Sequence, residues 1–282
     1  MERESPVTGY QSLTKAMDDR KITIHTLRAM KQRGEKIAAL TAYDFFTAKI
    51  MDEVGVELIL VGDSLGMAVL GYENTLPVTM EDMIHHTKAV ARAKPNALLV
   101  GDMPFMSYST VRQAVENAGR FIQAGAEAVK IEGGEPVIEQ VRAVIAAGVP
   151  VLGHIGLLPQ SILETGGYKV QGRTAESAER LLRDAKLLEE AGAFAILIEC
   201  VVADVGKRIT QSARVPTIGI GAGPGCDGQI LVNNDMLGQF TRFIPKHVKR
   251  YANLAEEMRQ AFAAYKREVE SGEFPGEAQS FR

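Results

Sequence analysis

The chain has 282 residues, 46% of them apolar and 24% charged, the make-up of an ordinary folded protein and not of a disordered one. Lys and Arg total 32 against 35 Asp and Glu, a net charge of −3, so there is no basic excess to suggest a nucleic-acid partner. Two cysteines, Cys200 and Cys226, are too few for a disulfide framework or a multi-cysteine zinc site and suit a reducing, cytoplasmic setting. No apolar run approaches the ~20 residues that span a bilayer. No membrane partner is expected.

Residues 1–20 are polar, lack the apolar core of a signal peptide, and read as an irregular arm. Eight short β-branched runs follow: Ile37–Tyr43, Glu57–Gly62, Ala97–Asp102, Ala128–Gly133, Val149–Ile155, Ala195–Cys200, Thr217–Gly221 and Gln229–Val232. Most are continuously apolar, which predicts strands covered on both faces, as in a parallel sheet. Amphipathic stretches lie between them. In Thr110–Ala124, Val111, Ala114, Val115, Ala118, Phe121 and Ile122 follow helical spacing, and Thr110 with Gln113 reads as a capping box. Thr79-Met-Glu-Asp starts another helix, whose His85-His86 reads as a surface or interface pair. Eight strands alternating with helices predict a (β/α)8 barrel over residues 21–269, the alternative being a doubly wound open sheet. Arg250–Val269 reads as a final helix and residues 270–282 as a loose tail. A turn-plus-strand unit recurs, Ala124–Glu132 matching Ala191–Glu199, as expected of a barrel made of similar modules.

Parallel barrels carry their chemistry where the strands end, because the βα loops there converge on one mouth. Five successive strands end in polar residues: Asp63 with Ser64, Asp102, Lys130 with Glu132, His154, and Glu199. Asp63, Asp102 and Glu132 aim three carboxylates at one volume, and like charges so placed raise one another's pKa unless a cation intervenes. An all-oxygen donor set favours Mg²⁺ over zinc. The bland alternative, that each acid caps the following helix, weakens when they recur on successive strands. Lys130, inside an apolar strand, calls for an anion, either a substrate carboxylate or enolate or a neighbouring acid. Glu199 ends a very apolar run, where burial would raise its pKa and suit it to accept a proton. The glycine-rich Gly219–Gly225 loop matches no phosphate-binding fingerprint and reads as a tight turn near the mouth, and Cys200 as a small buried hydrophobe.

Seven motifs carry a specific resemblance when taken together. They are Leu40-Thr-Ala-Tyr-Asp44, Val61-Gly-Asp-Ser-Leu-Gly66, Asp102-Met-Pro-Phe-Met106, Val129-Lys-Ile-Glu-Gly133, Gly153-His-Ile-Gly-Leu157, Gly166-Gly-Tyr-Lys-Val-Gln-Gly172 and Ile218-Gly-Ile-Gly-Ala-Gly223. From about Lys21 to about Tyr265 the chain resembles the 3-methyl-2-oxobutanoate hydroxymethyltransferases, also called ketopantoate hydroxymethyltransferases. The resemblance implies a barrel of the phosphoenolpyruvate-mutase and isocitrate-lyase type. It implies Mg²⁺ held by Asp63 and Asp102 with Glu132 in the metal shell. Asp63, Ser64, Asp102 and Lys130 would bind the keto acid, with His154 beside them, and Glu199 would accept its proton. The co-substrate would be 5,10-methylenetetrahydrofolate and the assembly a homodecamer of two pentameric rings. A lyase of the same barrel type would need a catalytic cysteine in a Lys-Lys-Cys-Gly-His-like loop, which this chain lacks. A non-catalytic barrel would leave the clustered carboxylates and interior lysine without purpose.

Overall fold

A computed structural model describes residues 21–167 and 169–281. The expected N-terminal arm, Tyr168 and Arg282 lie outside the described residues. Eight parallel strands close into a barrel in sequence order: β1 (Ile37–Thr41), β2 (Leu58–Val61), β3 (Leu98–Asp102), β4 (Ala128–Glu132), β5 (Val151–Gly156), β6 (Ala195–Glu199), β7 (Thr217–Ile220) and β8 (Gly228–Leu231). This is the closed barrel expected, not the open sheet. Each strand falls within or within two residues of its predicted run, and the differences have local causes. The Tyr43 carbonyl leaves the ladder to accept from His86 Nδ1 at 2.7 Å. Gly133 turns away from β4 at φ +123°. That contact also corrects the reading of the histidine pair, since His85 is exposed whereas His86 is half-buried against the strand end.

The pleat sorts each apolar run onto two faces. Leu58 and Leu60 of β2 point into the barrel with Leu98, Val100, Ala128, Leu152, Leu197 and Ile218. Ile59 and Val61 point outward with Leu99, Val129, Ile131 and Ile198, against the helices. Both faces are buried, which is why the strands read as unbroken apolar runs. The N-terminal end of the barrel is stoppered by a helix that the periodicity did not announce, Ile24–Arg33, whose Leu27 and Met30 join the interior cluster with Phe194. Thr23 and Thr26 form its capping box, and Gly34 ends it at φ +71°.

Helix Met80–Ala91 opens with a complete capping box between Thr79 and Asp82. Helix Val111–Gln123 has only half of the expected one. Thr110 Oγ1 accepts from the Gln113 amide at 3.2 Å, but the Gln113 side chain accepts from Ser109 Oγ at 2.6 Å instead of reaching back. The described chain divides into two compact units, one ending at Ile230 and the other beginning at Leu231. In the second, helix Leu254–Ser271 starts four residues later than expected and leaves Met258, Phe262 and Tyr265 exposed. No helix among the described residues is long and apolar enough to cross a membrane.

Two glycines give opposite expectations for the same substitution. A Cβ on Gly101, at the end of β3, would lie 2.3 Å from a ring carbon of the fully buried Phe121, whereas one on Gly119, within helix Val111–Gln123, meets nothing within 4 Å. Gly101→Ala is expected to destabilise by about 1–3 kcal/mol through overpacking. Gly119→Ala is expected to stabilise by about 0.5–1 kcal/mol through helix propensity. Urea unfolding midpoints of the two variants check both signs.

Candidate active site

The inward faces of β3 to β6 change character as they rise toward their C-terminal ends. Along β3 the inward residues run Leu98, Val100, Asp102; along β4, Ala128, Lys130, Glu132; along β6, Ala195, Leu197, Glu199. The charged residues are thus the top layer of a face that is otherwise core. Asp63 and Ser64 follow β2 by two and three residues, and His154 lies within β5. All seven residues singled out from the sequence fall on this rim.

Lys130 Nζ lies 2.7 and 2.8 Å from the two oxygens of Asp102 and 3.0 Å from Glu132 Oε1. The anion that the interior lysine required is therefore supplied by its neighbours. Asp102 stands opposite Lys130 in the parallel register, and Glu132 is two residues along the same strand, so both partners follow from the pleat. The Asp63 backbone N–H donates to Asp102 Oδ2 at 3.0 Å. Asp63, Asp102 and Glu132 are buried and present oxygens that all lie within 4.8 Å of one another. His154 sits between two acids, its Nδ1 3.3 Å from Glu132 Oε1 and its Nε2 3.3 Å from Glu199 Oε2, close enough for ion pairing though poorly aligned for hydrogen bonds.

Glu199 is not as deeply buried as its apolar run predicted. Its side chain keeps 18% exposure, because β6 ends there and the carboxylate emerges at the mouth while Ile198 and Leu197 stay covered. Cys200, also expected to be buried, is only partly so and adopts φ +47°. Burial and the neighbouring Glu199 push its thiol up to about 12, so it carries no nucleophilic thiolate near neutral pH.

The electrostatics of the cluster follow from burial and crowding. Burial, then the nearby Asp102, holds the Asp63 carboxyl well above the usual carboxylate range. Burial also raises Asp102, against the pull of Lys130. Burial alone would raise Glu132, but Lys130 and His154 together bring it down to about 2. Burial and Lys130 both disfavour a charged His154, and the carboxylates of Glu132 and Glu199 outweigh them, lifting it to about 9. Lys130 is held well above its ordinary value by Asp102, Glu132 and Asp63 in spite of its burial. Three carboxylates thus crowd one ammonium. Asp63, Asp102 and Glu132 together offer an all-oxygen donor set that fits a divalent cation.

Three residues escaped the sequence reading. Tyr43, buried in the loop after β1, contacts Ser64 Oγ through its hydroxyl at 2.8 Å. Gln160, buried in the turn Pro159–Ser161 after β5, donates from Nε2 to Asp63 Oδ2 at 3.0 Å and accepts from the Tyr108 hydroxyl at 2.7 Å. Tyr43 lay inside a quoted motif and could have been found there. Gln160 and Tyr108 carried only the weak signal of polar groups in βα loops.

The chain is also similar to known proteins. A family model described as ketopantoate hydroxymethyltransferase matches residues 21–277. A 3-methyl-2-oxobutanoate hydroxymethyltransferase of Syntrophus aciditrophicus (strain SB) is 58% identical over 93% of this chain and 97% of its own length. A protein of the same name from Moorella thermoacetica is 56% identical over 93% and 98%. Among solved structures, phosphonopyruvate hydrolase in complex with oxalate and Mg++ aligns over 87% of each chain with a TM-score of 0.61 at 18% identity. 2,3-Dimethylmalate lyase, a member of the PEP mutase/isocitrate lyase superfamily, covers 92% of this chain and 91% of its own, with a TM-score of 0.58 at 17% identity. These two share the barrel. The family model and the relatives, matching almost end to end, go further: the chain belongs to the ketopantoate hydroxymethyltransferase family and is a hydroxymethyltransferase enzyme.

Proposed function

We propose that this enzyme transfers the one-carbon unit of 5,10-methylenetetrahydrofolate, as a hydroxymethyl group whose oxygen comes from one water, to 3-methyl-2-oxobutanoate, releasing 2-dehydropantoate and tetrahydrofolate, in pantothenate and coenzyme A biosynthesis. The observation that carries this reading is a buried carboxylate cluster around Lys130, with one further carboxylate, Glu199, reaching the mouth on the far side of His154.

Asp63 and Asp102 would hold Mg²⁺, with Glu132 in its shell. When bound, the ion supplies a Lewis acid that draws electron density from the ketone and acidifies the neighbouring C3. The chain's own groups do the rest. Ser64, steadied by Tyr43, offers a hydroxyl to the substrate carboxylate. Lys130 places a fixed positive charge where negative charge develops on the substrate oxygens. His154, pinned between Glu132 and Glu199, holds the Glu199 carboxylate at the mouth. Glu199 takes the C3 proton, and the carbon so freed forms the new C–C bond to the one-carbon unit; one water cleaves that unit from the folate, its oxygen becoming the new hydroxyl with the proton held by Glu199 and its two protons restoring the N–H groups of tetrahydrofolate. The enzyme works in the cytoplasm as a homodecamer of two pentameric rings, a state that light scattering at micromolar concentration tests directly; a monomer there would overturn it.

The activity is tested by incubating the protein with 3-methyl-2-oxobutanoate, 5,10-methylenetetrahydrofolate and Mg²⁺ and following 2-dehydropantoate by NMR. No product would overturn the reading. Asp102→Asn is expected to abolish Mg²⁺-dependent keto-acid binding with the circular dichroism of the fold retained. Calorimetry showing undiminished Mg²⁺-dependent binding would remove Asp102 as a ligand.

Glu199→Gln keeps shape but removes the proton acceptor. Turnover is expected to fall by roughly 10²–10⁴-fold, with keto-acid affinity changed far less. In D₂O without folate, the native enzyme should exchange the C3 hydrogen of the keto acid and the variant should not. Exchange at the native rate would shift the role to another group.

A further inference from the structure

Gln160 stands out among the described polar side chains because one residue ties together the strand ends that carry the three clustered carboxylates, Asp63, Asp102 and Glu132. It comes from the turn after β5 and is only 6% exposed. Its Nε2 donates to Asp63 Oδ2 and to the Met103 carbonyl, both at 3.0 Å. Its own backbone N–H donates to Glu132 Oε2 at 3.2 Å. Met103 adjoins Asp102, so β2, β3 and β4 are all gripped from β5.

The orientation of the amide is determined by its partners. A carboxylate and a carbonyl only accept, so Nε2 must face them, and Oε1 is left for the Tyr108 hydroxyl, which donates at 2.7 Å. A flipped amide would set oxygen against two acceptors and leave the tyrosine proton facing nitrogen. Both amide protons and the amide oxygen are thus engaged. The grip is also neutral. A lysine or arginine here would cancel the negative charge that favours a cation, whereas an amide directs the carboxylate without altering that charge.

We infer that Gln160, oriented by Tyr108, is a positioning residue that engages one oxygen of Asp63 and so presents the other to a divalent cation. This rests on the cation reading given above. In metal sites, groups that orient the ligands characteristically change affinity by about 10–100-fold when removed.

The test uses the full-length protein titrated with Mn²⁺ alone, by calorimetry and by the low-temperature Mn²⁺ EPR spectrum, with no turnover required. Gln160→Met keeps length and removes donor and acceptor. It is expected to weaken Mn²⁺ binding by about 10–100-fold and to alter the EPR line shape. Tyr108→Phe leaves Gln160 in place without its orienting hydroxyl and is expected to change both readouts in the same direction by a smaller factor. Affinity within twofold of native and an unchanged spectrum in both variants would overturn the inference. Should Gln160→Met fail to fold, Tyr108→Phe decides alone: native affinity and spectrum overturn the inference, and weaker binding with a changed spectrum supports it. Failure of the underlying reading looks different. A native protein that takes up no Mn²⁺ removes the cation site and this role together, whereas native and variant proteins that bind alike remove only the role of Gln160.

Discussion

The upper half of the barrel is organised around a positive charge buried on the inward face of β4. Lys130 is 4% exposed, and an ammonium so placed is tolerated only when it is paired. Asp102 meets it with both oxygens and Glu132 with one. Removing one partner of a buried pair characteristically costs about 3–5 kcal/mol, because the other charge is left uncompensated. The pairing needs no special loop. Parallel register sets Asp102 opposite Lys130, and the pleat puts Glu132 on the same face. Once Lys130 is satisfied, Asp63 is the acid left over, and burial first, then the nearby Asp102, raise its affinity for a proton.

Below that layer the same inward faces are entirely apolar, and this makes the charged layer affordable. Leu58, Leu60, Leu98, Leu152, Leu197 and Ile218 fill the lower barrel. Burying each such side chain stabilises by roughly 1.5–3 kcal/mol. The outer faces add a second core, where Gly101 lets Phe121 lie directly on the strand. A scaffold held on both faces can carry polar groups at one end without the strands separating.

Much of this was legible in the sequence. The strands were legible because each apolar run is β-branched and too short for a helix. The rim residues were legible because each interrupts or ends an apolar run, as Lys130 does between Val129 and Ile131. What escaped depended on three-dimensional neighbours. The Gln113 side chain finds Ser109 and not its own helix start. Glu199 emerges into the mouth although every residue before it in β6 is covered. Gln160 and Tyr108 are far apart in sequence and acquire meaning only when the turn after β5 folds across the end of β3. Helix Ile24–Arg33 was missed because its two inward residues, Leu27 and Met30, make too short a stripe to be read as a period.

That helix has a consequence for access. With Leu27, Met30 and Phe194 packed into the interior cluster, the barrel is filled from its N-terminal end up to the charged layer, and the polar groups face the C-terminal mouth. A small molecule therefore meets that layer from one side. A helix on the face remote from the chemistry thereby makes the site one-sided: whatever arrives must depart by the way it came.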